Sequence, residues 1–236
     1  MPRRLWWWMV LAFAGVAGAA AVDLFVFPAP RSSRELSLVE SGEAPVSLFP
    51  ALRVDAPFPE SVAVAEGKSA WPLALTGSYV RAKTFLVTIS IYEVASYTES
   101  PPRGTTEEML ESIWRDDGRK AYALRFLAPL PGWQLQKAVT DEMARSFNDV
   151  SIDDYREDID RLLASFAAGA HTGDVFYLVR LPKGRIYFGM RKERNLTLAT
   201  SSRPLAQAIW RMWAGPTAEP GRAGLISRVA KASETR

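Results

Sequence analysis

Thr76-Gly-Ser-Tyr-Val-Arg-Ala-Lys-Thr-Phe-Leu-Val-Thr-Ile-Ser-Ile-Tyr-Glu-Val-Ala-Ser-Tyr97 is the longest β-branched and aromatic run in the chain, with no proline and one glycine near its start. That composition predicts strand rather than helix. Side chains alternate faces along a strand. Phe85, Val87, Ile89 and Ile91 therefore form the expected core face, and Leu86, Thr88, Ser90 and Tyr92 the wetter one. Arg81 and Lys83 share the parity of the core face unless a bulge intervenes. A cation at the rim of an apolar surface either snorkels to water or receives an anion.

Around this stretch the pattern is mixed. Ser61–Ala65 and Leu73–Leu75 read as short strands about the Glu66-Gly67-Lys68 turn. Thr105 or Thr106 can cap a helix carrying Met109, Leu110, Ile113 and Trp114, which Asp116-Asp-Gly118 ends. Ala121–Leu127 is a strand with Tyr122, Leu124 and Phe126 on one face. Two helices follow at the 3.6-residue period, one striped by Leu135, Ala138, Val139, Met143 and Phe147, the other by Tyr155, Ile159, Leu162, Leu163 and Phe166. Val175–Leu181 and Arg185–Met190 form a hairpin about Pro182-Lys-Gly184, and Asn195–Ala199 adds a strand. Leu205, Ala208, Ile209, Met212 and Trp213 stripe another helix, ended by Gly215-Pro216, and Leu225–Lys231 adds a last turn or two. Strands clustered around a middle block of helices, without a βαβ repeat, predict an α+β fold: an antiparallel sheet packed on one face by a layer of helices.

Upstream, Pro2-Arg-Arg4 precedes an apolar centre from Leu5 and a small-residue tail at Ala19-Ala20-Ala21. Residues 1–22 read as a signal peptide or, if uncleaved, an N-terminal membrane anchor, since Leu5–Val22 reaches the lower limit of a span. The expected location is exported: periplasmic, or held at the inner membrane facing the periplasm. Residues 23–57, with Pro28-Ala-Pro30 and Arg31-Ser-Ser-Arg34, form a linker in which Leu48–Leu52 can dock as a short extended piece, and residues 58–236 form the domain.

Composition removes several function classes. The chain carries 29 basic and 26 acidic residues, and two of the basic ones are Arg3 and Arg4, so nothing points to a nucleic-acid partner. From Arg180 onward, twelve lysines and arginines stand against three acids, an asymmetry that can orient a surface toward anionic lipid but more often marks a solvated face. Without cysteine there is no disulfide, zinc ribbon or thiol catalysis. A single histidine, His171, rules out a multi-histidine metal site, and its Gly-rich setting marks a surface turn. No metal ligand and no cofactor is expected.

Gly77, Val80, Arg81 and Lys83 resemble the Gly-x-x-Val-Arg-x-Lys strand of chalcone-isomerase-like proteins. The resemblance extends over Phe58-Pro-Glu-Ser-Val62, Gly173–Leu178 with its following turn, and Leu205–Gly215, covering roughly Phe58 to Lys231. It implies that family's sheet-and-helix fold and a cleft holding an arginine, a threonine, a tyrosine, an asparagine and a second hydroxyl residue. Arg81 keeps the arginine. The threonine's place falls at Ile89, or at Tyr92 if the strand carries extra residues. The tyrosine's place falls at Trp133, the asparagine's near Thr140, and the hydroxyl residue's at Met212. Tryptophan has no acceptor and no ionisable hydroxyl, so the isomerase chemistry is not supported and no catalytic residue is assigned. The fatty-acid-binding branch uses the arginine for a carboxylate. The expected ligand is thus a fatty acid or similar amphipathic carboxylate, in a cleft lined by Arg81, Tyr92, Trp133, Thr140 and Met212. A cell-envelope interaction module with a filled cleft and a residual isomerase stand as alternatives.

Overall fold

The computed structural model describes residues 45–49, 56–84, 88–147, 151–190, 196–218 and 220–234. The segment read as a leader, most of the linker, and Phe85, Leu86 and Val87 lie outside the described residues. Among the described residues, no helix is long and apolar enough to cross a membrane.

Eight strands form one sheet whose spatial order is the sequence order: β1 Val46–Phe49, β2 Ser61–Glu66, β3 Ser69–Thr84, β4 Thr88–Thr98, β5 Lys120–Phe126, β6 Val175–Leu181, β7 Arg185–Met190 and β8 Thr197–Thr200. Every neighbouring pair is antiparallel. Val46 also bridges Leu196, whose amide donates to the Val46 carbonyl at 2.8 Å, so the first strand returns to the last and the sheet nearly closes. The sheet thus begins upstream of Phe58, in the stretch expected to dock as an extended piece.

The stretch from Thr76 to Tyr97 is two strands of a hairpin rather than one strand. Its register shifts between Arg81 and Ala82: Arg81 pairs with Tyr92 and Ala82 with Ser90, which leaves Ile91 as the extra residue of a bulge. The expected core face is corrected accordingly. Ile89 is 48% exposed, while Tyr92, Val94, Ala95 and Tyr97, farther along β4, are buried. The reason is length. The 16 residues of β3 run about 50 Å, whereas the longest helix among the described residues, at 15 residues, spans about 22 Å. The distal end of the hairpin outruns the helices that would cover it.

Both faces of the sheet are buried, by different means. One carries Val64, Leu73, Ala95, Tyr97, Ala123 and Val179 in a core built from sheet residues and Phe58, with no helix contribution; it is the face enclosed by the curl. The other carries Tyr92, Val94, Tyr122, Leu124, Phe126 and Phe176, and the helices pack on it. This accounts for β5 and β6 being buried at every position, since each face of the pleat has its own core.

The helices are α1 Thr106–Arg115, α2 Gly132–Ser146, α3 Arg156–Ala164, α4 Arg203–Ala214 and α5 Ser227–Glu234. Thr105 caps α1 in a capping box with Glu108, as its position predicts. The far end of α1 is closed by cations from the sheet: Lys120 Nζ donates to the carbonyls of Ser112 and Ile113, and Arg180 donates to that of Trp114. A 3₁₀ segment, Pro220–Ile226, crosses β3 at Gly77. A Cβ there would lie 2.1 Å from the Gly224 carbonyl oxygen, so only glycine lets the two backbones meet. Thr76 donates to the Leu225 carbonyl at 2.6 Å and locks the crossing.

Candidate functional site

A cleft of about 50 Å³ opens between the helix-covered face of the sheet and helices α2 and α4. Arg81 comes from β3, Tyr92 from β4, Leu124 and Phe126 from β5, Leu135, Ala138, Val139 and Glu142 from α2, and Met212 and Trp213 from α4; Phe166 follows α3. A smaller cavity of about 10 Å³ shares Val139, Phe166, Met212 and Trp213 with it and continues toward Leu162, Phe176, Leu178 and Ile209. The lining is therefore apolar along its depth and polar at one end.

The polar end is assembled from three elements. Arg81 and Tyr92 are cross-strand partners on the helix-covered face, and the register shift between Leu75 and Gly77 is what turns Arg81 away from the face that Leu73 and Leu75 occupy. Arg81 Nη1 donates to the Tyr92 hydroxyl oxygen at 3.1 Å, and Trp213 Nε1 donates to the same oxygen at 3.2 Å. Arg81 Nη2 reaches Glu142 Oε2 at 3.5 Å, and Arg145 donates to that carboxylate oxygen as well. The side chains of Arg81 and Glu142 are 14% and 5% exposed, so this is a largely desolvated pair. A guanidinium, a phenol and an indole thus converge on one point at the end of an apolar cleft. That arrangement can hold an anion or a hydrogen-bonding head group, while the apolar walls accept a tail.

Of the five expected lining residues, the structure brings three together: Arg81, Tyr92 and Met212. It does not bring Trp133 or Thr140 to the cleft. Trp133 is 65% exposed, and Thr140 is exposed with its hydroxyl donating to the Gln136 carbonyl. The reason is helical phase. Leu135, Ala138, Val139 and Glu142 occupy the cleft face of α2, and at 100° per residue Trp133 and Thr140 fall on the opposite side. The same phase exposes what the sequence reading missed. Glu142 sits three residues after Val139 and seven after Leu135, inside the apolar stripe, and a carboxylate in that position is the signal of a buried partner. Trp213 stood in the α4 stripe, but nothing in the sequence tells that its indole reaches Tyr92.

A larger, more open groove of about 470 Å³ runs between Pro101–Gly104, Met109 and the α5 residues Val229 and Ala232. Among the described residues of its lining, exposed Arg103 is the one charged side chain, and no set of polar groups converges there. His171 is exposed in the turn between α3 and β6, away from the Arg81 cleft.

No protein-family profile matches the sequence, and no curated protein is significantly similar to it. Solved structures are. The fatty-acid binding protein of Arabidopsis thaliana matches with a TM-score of 0.57 over 75% of this chain and 94% of that one, at 15% identity. The fold is chalcone-isomerase-like. At that identity the likeness concerns the fold alone.

Proposed function

We propose that this protein binds a fatty acid or similar amphipathic carboxylate in the Arg81 cleft and performs no chemistry on it. The observation that carries the reading is the Arg81 guanidinium, bonded to Tyr92 and set at the polar end of an otherwise apolar cleft. A planar guanidinium can hold a carboxylate through two parallel hydrogen bonds, and the apolar walls supply the transfer free energy of the tail. The fatty-acid binding of the structurally similar Arabidopsis protein is compatible with this.

At about 50 Å³ the cleft holds a water or two, well short of the roughly 300 Å³ at which ligand pockets begin. Binding therefore opens it. Met212 lines both the cleft and the inner cavity, and among the residues they share its unbranched, three-torsion side chain is the one best suited to swing aside and join them. The small volume also favours a second reading, an interaction module whose cleft is filled core.

Native mass spectrometry of the protein purified from its host separates the two. A co-purified lipid whose mass matches a long-chain acid supports binding. Protein that carries no lipid, and that takes up none when incubated with palmitate, leaves the interaction module.

A further inference from the structure

We propose that Glu142 is a built-in competitor for the ligand's head group, and that binding is an exchange in which Glu142 leaves Arg81 for Arg145 as the incoming carboxylate takes its place. The inference rests on the carboxylate-binding reading above and adds which head groups the cleft accepts.

Three observations support it. First, Glu142 lines the polar end of the cleft on the side of α2 that otherwise presents Leu135, Ala138 and Val139, so its carboxylate stands beside the guanidinium that a ligand would use. Second, the two arginines on Glu142 differ in freedom. Arg81 is fixed on a strand and 14% exposed, whereas Arg145 lies one turn along the same helix and is 55% exposed, free to follow the carboxylate outward. Third, the sharing is unequal. The Arg81 contact, at 3.5 Å, is at the outer limit of a hydrogen bond, while the Arg145 contact to the same oxygen is short, so releasing Arg81 leaves the carboxylate paired.

The charges then set the specificity. Glu142 already offers Arg81 a carboxylate, so an incoming anionic head must displace it, whereas a neutral head need not. Glu142 thereby weakens every anionic head relative to a neutral hydrogen-bonding one, and does so without touching the tail.

The test is calorimetric titration of wild type, Glu142→Gln and Arg145→Ala with palmitate and with hexadecanamide, which has the same tail and an uncharged head. Glu142→Gln should bind palmitate about tenfold or more tighter, with hexadecanamide changed less than about twofold. Arg145→Ala, at an exposed position, should bind palmitate more weakly, because Glu142 then rests on Arg81 alone. If Glu142→Gln does not fold, the loss in Arg145→Ala still decides the matter. Palmitate binding by wild type with no gain in Glu142→Gln and no loss in Arg145→Ala overturns the exchange and leaves the binding reading standing. A gain that is equal for both ligands shows only a loosened cleft and also overturns it. Absence of palmitate binding in all three proteins overturns both.

Discussion

Arg81 and Tyr92 face each other across β3 and β4, and the guanidinium of Arg81 donates to the Tyr92 hydroxyl at 3.1 Å with its central carbon 5.8 Å from the ring centroid. The pair ends the regular ladder that runs from Gly77 and Ser96, and one extra residue in β4, Ile91, shifts the register just beyond it. Arg81→Ala removes the cation from the site. Palmitate binding should weaken by about 1.5–3 kcal/mol, the range for hydrogen bonds to charged groups. Arg81→Lys should recover part of the loss, since lysine lacks the planar fork. Calorimetric titration of the three proteins provides the check, and equal binding by wild type and Arg81→Ala would remove Arg81 from the site.

No chalcone cyclisation above background is expected. The residue standing where the isomerases have their tyrosine, Trp133, points to solvent, and the place of the hydroxyl residue is taken by buried Met212. Losing a polarising or water-holding group typically costs about 10²–10³-fold in rate. Absorbance monitoring of a hydroxychalcone with purified protein measures this, and efficient turnover would contradict it.

Lys120 should give the protein an unusual alkaline stabilisation. Its side chain is buried between the end of α1 and the sheet, and burial, aided by the nearby Arg180 charge, lowers its pKa to about 7. The unfolded chain holds that proton to about pH 10.4. Between these values the unfolded state binds more protons, so the Lys120 contribution to stability rises with pH, by at most about 1.4 kcal/mol per unit. Below about pH 7 both states are protonated and the contribution is flat at its least favourable. Urea unfolding of wild type and Lys120→Met at about pH 7 and pH 9.5 tests the sign. The variant loses the carbonyl contacts but also the cost of burying the charge, so the readout is slope: wild type should gain stability relative to the variant as pH rises. Parallel slopes would refute the titration.

Export is expected from the basic start, apolar centre and small-residue tail of residues 1–22. Fusing this segment to alkaline phosphatase should yield active enzyme outside the cytoplasm. An inactive cytosolic fusion would rule the segment out as an export signal.

Much of the architecture is local and was legible in the chain. The α1 cap at Thr105, the β6–β7 hairpin about Pro182-Lys-Gly184, and the apolar stripes of α2, α3 and α4 all follow from turn chemistry and period. These depend on neighbours within a few residues, where sequence spacing and spatial spacing coincide. That β3 ends at Thr84 and a second strand begins at Thr88 was not legible, because the sequence from Thr84 to Thr88 contains none of the Gly, Pro, Asn or Asp that usually separate two strands.

For the candidate site the division is sharper. Strand parity placed Arg81 with Phe85, Val87, Ile89 and Ile91 and left water or an anion as its partner; the hairpin and its two register shifts gave it different neighbours. Glu142 lies 61 residues away on a helix, and its approach to Arg81 depends on how α2 is laid across the sheet. Trp133 and Thr140 fall away by helical phase, which the Leu135, Ala138 and Val139 stripe already implied, but only the packing of α4 brings the Trp213 indole, 121 residues from Tyr92, onto the hydroxyl that Arg81 also uses. Local periodicity sets which side chains share a face of an element. Only the packing of one element on another decides what that face meets, because the contacts that choose the packing are spread over the whole core.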